Sequence, residues 1–306
     1  MMQRAAATGL AAILALSPGC RGGAERVRDA ESAGTPKTPA PRKLVERVDG
    51  PAGRLRVDDE GAGSALPVLF VHGLAGDRTL WRHQLEHFRT TRRAIAVDLH
   101  GHGESAAAPG GEYTVPSYVA DVQAVADGLG LERFVLVGHS LGGAVACGYA
   151  AARPDRVAAL VLADPSGDNT RVPRGEAEAM FRQMRPETYP RFMRKYFTEM
   201  MAGSDPAVRS HVLRVMRLTR REVVVATLRG GFAYSPVGAL KSYPGARLVI
   251  ASEANSGPYS LRAAISDLPW RVIAGVGHWP MLDRPEEFDR ILDDFLASAD
   301  LAEAKR

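Results

Sequence analysis

The chain has 306 residues, 45% apolar and 24% charged, enough to bury one large core and too apolar for general disorder. Its net charge of +4 is small for this length and comes with no recognisable nucleic-acid reading module, which argues against a nucleic-acid binder. Its two cysteines, Cys20 and Cys147, provide no disulfide framework. Cys147, in the apolar run AVACGYAAA, reads as a buried structural thiol.

The chain opens with a short basic start, Met1–Arg4, then a nearly apolar run, Ala5–Leu16, broken at Ser17-Pro18-Gly19-Cys20. Twelve residues fall short of the roughly 20 needed to span a bilayer, and suit the core of an export signal. The ending resembles a bacterial lipoprotein signal: the small Gly19 precedes Cys20, although Ser17 stands where Leu is usual. That resemblance implies lipidation of Cys20 and a membrane-anchored bacterial lipoprotein; a general signal would leave the protein periplasmic or secreted. Residues 21–43 are rich in Ala, Gly, Pro, Ser and charge without apolar periodicity, and read as a flexible tether. The folded part is expected from about Leu44.

From there, strand-length apolar runs alternate with helical patterns, which predicts an α/β fold with a mostly parallel central sheet flanked by helices. Val45–Val57 predicts one or two edge strands, and Val68–Val71 a buried strand ending at His72-Gly73. A helix is expected over Thr79–Phe88, a strand over Ala94–Val97 and a helix over Val115–Leu129. Phe134–Val137 then predicts a strand, Leu141–Ala152 a helix and Val157–Ala163 a strand ending at Asp164. From Ser166 to about Pro236 the chain turns Arg- and Met-rich and helical, broken by Pro186, Pro190 and Pro206. Between Arg171 and Arg229 stand thirteen Lys/Arg against six Asp/Glu. Strands are expected again over Arg247–Ala251 and Arg271–Ala274, and a final helix over Pro285–Ser298. The simplest organisation is one α/β core, 44–165 and 237–306, with a helical cap, 166–236, inserted after the sixth strand.

The most specific motif is Gly138-His139-Ser140-Leu141-Gly142-Gly143, a G-x-S-x-G between a predicted strand and helix. A sharp turn there strains the nucleophile's backbone, and only glycine tolerates the crowding on either side. The serine is thereby exposed, and the Leu141 amide opens a helix towards a developing oxyanion.

Here the chain resembles the α/β-hydrolase superfamily, whose order of landmarks it follows from Leu66 to Leu296. The resemblance implies that Ser140 is the nucleophile and that Leu74, in His72-Gly73-Leu74, supplies the second oxyanion amide. Asp98-Leu99-His100-Gly101-His102-Gly103-Glu104-Ser105 resembles the D-x-x-G-x-G-x-S turn, a structural feature, so His100 and His102 are read as structural rather than as a metal pair. No special role is expected for His83, His87, His139 or His211. Gly277-His278-Trp279-Pro280 resembles the segment of the catalytic histidine, which activates an otherwise poor serine nucleophile.

The acid departs from the pattern. The family usually places Asp after its seventh strand, in G-x-x-D, but here Ser252-Glu253-Ala254-Asn255 stands there. An amide can orient imidazole but cannot stabilise imidazolium by charge; in a serine protease that exchange costs about four orders of magnitude. Some members carry the acid at the end of the sixth strand, where Asp164 lies. Asp164 is therefore ranked first, Asn255 second as helper or relic, and Glu253 last.

A serine nucleophile favours acyl transfer, with a small-molecule ester or related acyl compound as substrate and no metal or organic cofactor required. A carboxylesterase on small to medium acyl groups is the leading expectation. The alternatives are a C–C bond hydrolase of the same fold and a catalytically impaired binding protein.

Overall fold

The computed structural model describes residues 46–108 and 110–299. The export signal, Cys20, the tether and Val45 lie outside the described residues. Within them eight strands form one sheet: β1 (Arg47–Gly50), β2 (Gly53–Glu60), β3 (Ala65–Val71), β4 (Arg92–Val97), β5 (Phe134–His139), β6 (Val157–Ala163), β7 (Ala246–Ser252) and β8 (Trp270–Ile273). Their order is β1-β2-β4-β3-β5-β6-β7-β8. The pairs β1–β2 and β2–β4 are antiparallel and every other pair is parallel. The fold class is thus the one expected, with two refinements. The first strand pair continues to Glu60, and β2 lies inside the sheet rather than on its edge.

The helices are α1 (Arg82–Phe88), α2 (Val115–Gly128), α3 (Leu141–Ala152), α4 (Arg174–Arg182), α5 (Tyr189–Met200), α6 (Pro206–Met216), α7 (Arg221–Phe232), α8 (Pro236–Ser242), α9 (Leu261–Ala264), α10 (Pro280–Asp283) and α11 (Pro285–Ser298). Five of them, α4–α8, lie between β6 and β7. The helix expected from Thr79 begins instead as a 3₁₀ turn over Arg78–Trp81. Asp77 causes this, accepting from the Thr79 amide (2.9 Å) and hydroxyl (2.5 Å) and capping a tight turn before α1 starts.

The apolar strands split their side chains between two cores, as a sheet covered on both faces requires. Leu69, Val71, Ile95 and Val97 pack with α2 and α3 on one face. Val68, Phe70, Ala94 and Ala96 pack with α1 and α11 on the other. At about 25 cal/mol per Å² of apolar area, burial of these side chains is the main stabilising term. The parallel register matters most for function. Val71 pairs with Gly138, His139 with Ala163, and Ala163 with Ile250. The loops after β3, β5, β6 and β7 therefore leave the sheet side by side at one edge, where ligands of open α/β sheets bind.

Candidate active site

Ser140 stands between the last residue of β5 and the first of α3 with φ 52° and ψ −119°, a conformation costly for any residue with a side chain. The turn closes because its glycines allow backbone to touch backbone. A Cβ on Gly142 would lie 2.4 Å from the His72 carbonyl oxygen, and one on Gly73 2.9 Å from Ser140 Cβ. The Ser140 amide donates to Ala163 O (3.0 Å) and its carbonyl accepts from the Gly143 amide (2.9 Å), locking the elbow to β6 and α3.

The loop after β3 is held as firmly. His72 donates Nδ1–H to Gly73 O (2.8 Å) and accepts the Leu99 amide at Nε2 (3.0 Å). Gly76 closes a turn on Gly73 (3.1 Å), and Ala75 inside it has φ 53°. Neither the Leu74 nor the Leu141 amide donates to a turn or loop carbonyl among the described residues.

Asp164 follows β6 with φ 40°, the left-handed region that Asp enters more readily than most residues. Its carboxylate is buried at 2% exposure and fully partnered. Oδ1 accepts from the Ser252 amide (2.8 Å), the Ser252 hydroxyl (3.1 Å) and Asn255 Nδ2 (3.2 Å). Oδ2 accepts from His278 Nδ1 at 2.5 Å and shares the Ser252 hydroxyl at 3.2 Å. Three donors on one oxygen orient the other towards the imidazole. The remaining ring nitrogen, His278 Nε2, is buried without a hydrogen-bond partner among the described residues.

The other two residues weighed as acids lie elsewhere. Glu253 is exposed and accepts the Gly275 amide (3.1 Å), so it is not on the imidazole. Asn255 donates to Asp164 and, through the same nitrogen, to Pro165 O (2.9 Å). A cleft of about 320 Å³ beside this pair is lined by Asp164, His278, Asn255, Glu199 and Met200, with Ser140 outside it.

The His278 backbone is anchored from two directions. Its amide donates to Met200 O at the end of α5 (2.9 Å), and its carbonyl accepts from His139 Nε2 (2.8 Å). Burial holds the His139 pKa well below the usual value, so the imidazole is neutral and carries its one proton on Nε2. His139, given no role from sequence, thus ties the Ser140 elbow to the histidine loop. Asp283 adds a third tie: Oδ2 accepts from the Gly277 amide (3.0 Å) and the Ser204 hydroxyl (2.8 Å), and Oδ1 from the Asp205 amide (3.2 Å). The α5–α6 turn and the His278 loop are therefore one hydrogen-bonded unit. Phe197 of α5 also stacks on Trp279, with centroids 5.7 Å apart.

The Asp98–Ser105 turn is structural in its contacts. Asp98 accepts from the Arg78 amide and guanidinium (2.7 Å each) and the Glu104 amide (2.9 Å). His100 sits between two acceptors, Asp121 Oδ2 (2.6 Å) and Glu112 O (3.0 Å). Burial disfavours its charge, but the Asp121 hydrogen bond and carboxylate outweigh burial and raise the pKa. His102 is buried, with its pKa pushed down by burial to about 3. Among the described residues no group of three or more His, Cys, Asp or Glu is placed to hold a metal.

Against known proteins, the sequence profile of the Alpha/beta hydrolase family matches residues 68–291. Lipase LipV of Mycobacterium tuberculosis is 44% identical over 113 residues, which are 37% of this chain and 42% of that one. Less than half of that lipase is therefore matched. A solved N-acyl homoserine lactone degrading enzyme superposes with a TM-score of 0.72 at 25% identity, covering 81% of this chain and 99% of its own. A thermophilic esterase from Thermogutta terrifontis gives 0.67 at 27% identity, covering 84% and 98%. With its sheet order, its elbow and a profile match over most of its length, the chain belongs to the α/β-hydrolase family.

Proposed function

We propose that this protein is a serine hydrolase working through an acyl-enzyme, and that its substrates are carboxylic esters of small to medium acyl groups. The observation that carries the reading is the short His278–Asp164 hydrogen bond (2.5 Å), with Nε2 of the same ring buried and unpartnered. That is the state of an imidazole ready to take a proton. Ser140 is the nucleophile, held by the strained turn at the end of β5.

In the first half-reaction Ser140 Oγ bonds to the ester carbonyl carbon while its proton passes to His278 Nε2. Asp164 Oδ2, already on Nδ1–H, offsets the charge of the imidazolium. The oxyanion accepts from the Leu74 and Leu141 amides, which are fixed before substrate arrives and so need no reorganisation. The C–O bond to the alcohol then breaks, and the alcohol leaves with the proton from Nε2. Water repeats the sequence: it gives a proton to Nε2, attacks the acyl carbon, and releases the acid as Ser140 recovers its proton. The lipase, lactone-degrading and esterase relatives support acyl transfer as the chemistry.

The test is hydrolysis of p-nitrophenyl esters of graded chain length by the purified protein, with Ser140→Ala as control. Turnover that peaks at short or medium chains and vanishes in the variant is expected. Folded protein that turns over none of the esters would sink the proposal.

A further inference from the structure

We propose that the helical insertion carries a docking surface for anionic lipid bilayers, built from arginines set around apolar clefts. Between α4 and α7 lies a cleft of about 450 Å³ whose rim carries Arg182, Arg185, Arg221 and Arg229. The Arg229 guanidinium lies 4.3 Å above the centroid of the Phe181 ring. Tyr189, with Arg221 at 6.0 Å from its ring, lines a second cleft of about 300 Å³. Met193, Leu213 and Met216 line the second, with Arg194 and Arg217 at its edge. The turn from α6 to α7 follows directly, Arg217-Leu218-Thr219-Arg220, and Leu218 is 66% exposed. Only one other large apolar residue is exposed among the described residues, Val272 on the edge strand.

Arg221 is paired with Glu222 at 3.5 Å, but most of the other arginines have no such partner among the described residues. Arg182, Arg185, Arg194 and Arg217 are exposed and make no ion pair with another described residue. Glu178, the one carboxylate in the first cleft, is held by Arg174 at 2.7 Å. The clefts thus collect much of the basic excess that the sequence shows between Arg171 and Arg229.

A soluble polyanion would satisfy the guanidinium groups but offers nothing to Leu218 or to the methionine- and tyrosine-lined cleft. A bilayer surface supplies both: phosphates for the arginines, and an acyl boundary for apolar groups set between them. No single described helix is long and apolar enough to cross a membrane, although α7 and α8 pass that test as a pair bent by 60°.

The experiment is co-sedimentation of the full chain with vesicles of phosphatidylcholine alone, or of equal parts phosphatidylcholine and phosphatidylglycerol. Wild type should prefer the anionic vesicles. The pair Arg182→Glu/Arg185→Glu should lower that partition coefficient by at least about tenfold, while Leu218→Ser should weaken the binding that persists at high salt. Thermal unfolding midpoints show whether each variant folds, and Arg194→Glu/Arg217→Glu replaces the first pair should it not fold. Equal binding to both vesicles, unchanged in the variants, would overturn the proposal and assign the contact to the apolar amino-terminal run. Displacement from vesicles by a short DNA duplex, with Leu218→Ser without effect, would overturn it in favour of a soluble polyanion.

Discussion

Asn255 donates its side-chain amide to the carboxylate of Asp164 at 3.2 Å, and through the same nitrogen to Pro165 O at 2.9 Å. The position where the family usually places its acid here braces the Asp164 carboxylate, just past the end of the neighbouring strand β6. An amide suits that task because its N–H groups select the ionised carboxylate, and the Pro165 contact fixes the direction from which it donates.

Replacing Asp164 should therefore be far more damaging than replacing Asn255. Asp164→Asn keeps the size of the side chain and removes the charge opposite His278, and kcat should fall by about four orders of magnitude. Asn255→Ala leaves both Ser252 donors on Oδ1, so kcat should fall only about tenfold with little change in KM. Steady-state kinetics on one ester, for both variants, read the difference directly.

Asn255→Asp is the sharper probe. A second carboxylate beside Asp164 Oδ1 replaces a donor with a like charge, which disfavours full ionisation of the pair. Activity at neutral pH should fall below wild type. A variant more active than wild type would identify residue 255 as a better acid than Asp164.

Asp283 is predicted to act as a positioning residue. It accepts from Gly277 beside His278 and from Ser204 in the α5–α6 turn, so Asp283→Ala leaves two buried donors unpaired, at a cost of roughly 1–3 kcal/mol each. The expected outcome is a lower unfolding midpoint and a kcat that falls more than KM rises, because the histidine loop loses its registration. Ser204→Ala, which removes one donor and keeps the Gly277 contact, should recover most of the kcat.

Backbone contact at the elbow sets a steric prediction. The Cβ of Gly142→Ala would meet two backbone oxygens, those of His72 and Val71, at 2.4 and 2.6 Å. Neither can retreat without moving β3, so the variant should lose about 3 kcal/mol or more together with any ester hydrolysis the wild type shows. Chemical denaturation measures the first and ester hydrolysis the second.

His102 makes stability depend on pH. Its folded pKa of about 3 lies below the ordinary 6.5, because burial opposes its charge. Below pH 6.5 the unfolded chain takes up a proton there and the folded chain does not, so stability is lost as pH falls towards 3. Between pH 7.5 and about 4.5 the loss assigned to His102 is roughly 2–3 kcal/mol. His102→Asn should reduce the loss by that order in urea unfolding at the two pH values.

What could be read from the sequence follows what is local in the chain. Ser140 announces itself because strand, turn and helix are contiguous around G-x-S-x-G, and α3, β6 and α11 fall on the residues expected of them. Asp164 was ambiguous because an Asp at the end of β6 has many uses. Its partners Ser252 and Asn255 lie about ninety residues away in sequence and become neighbours only through the β6–β7 register. From sequence alone Ser252 stands only as a departure from the family's glycine. His139 and Asp283 were missed for the same reason, since each acts on a loop that the fold alone brings to it. The signal for Asp283 was its place five residues after His278, in a short helical turn where an apolar core residue would otherwise be expected.

The central claim, that Ser140 is activated by His278 and Asp164, is met most directly by labelling the protein with a fluorophosphonate and mapping the adduct by mass spectrometry. One adduct per chain is expected, on Ser140, absent in Ser140→Ala and formed much more slowly in His278→Ala and Asp164→Asn. Folded wild type that takes no label, or an adduct on another residue that survives Ser140→Ala, would contradict it.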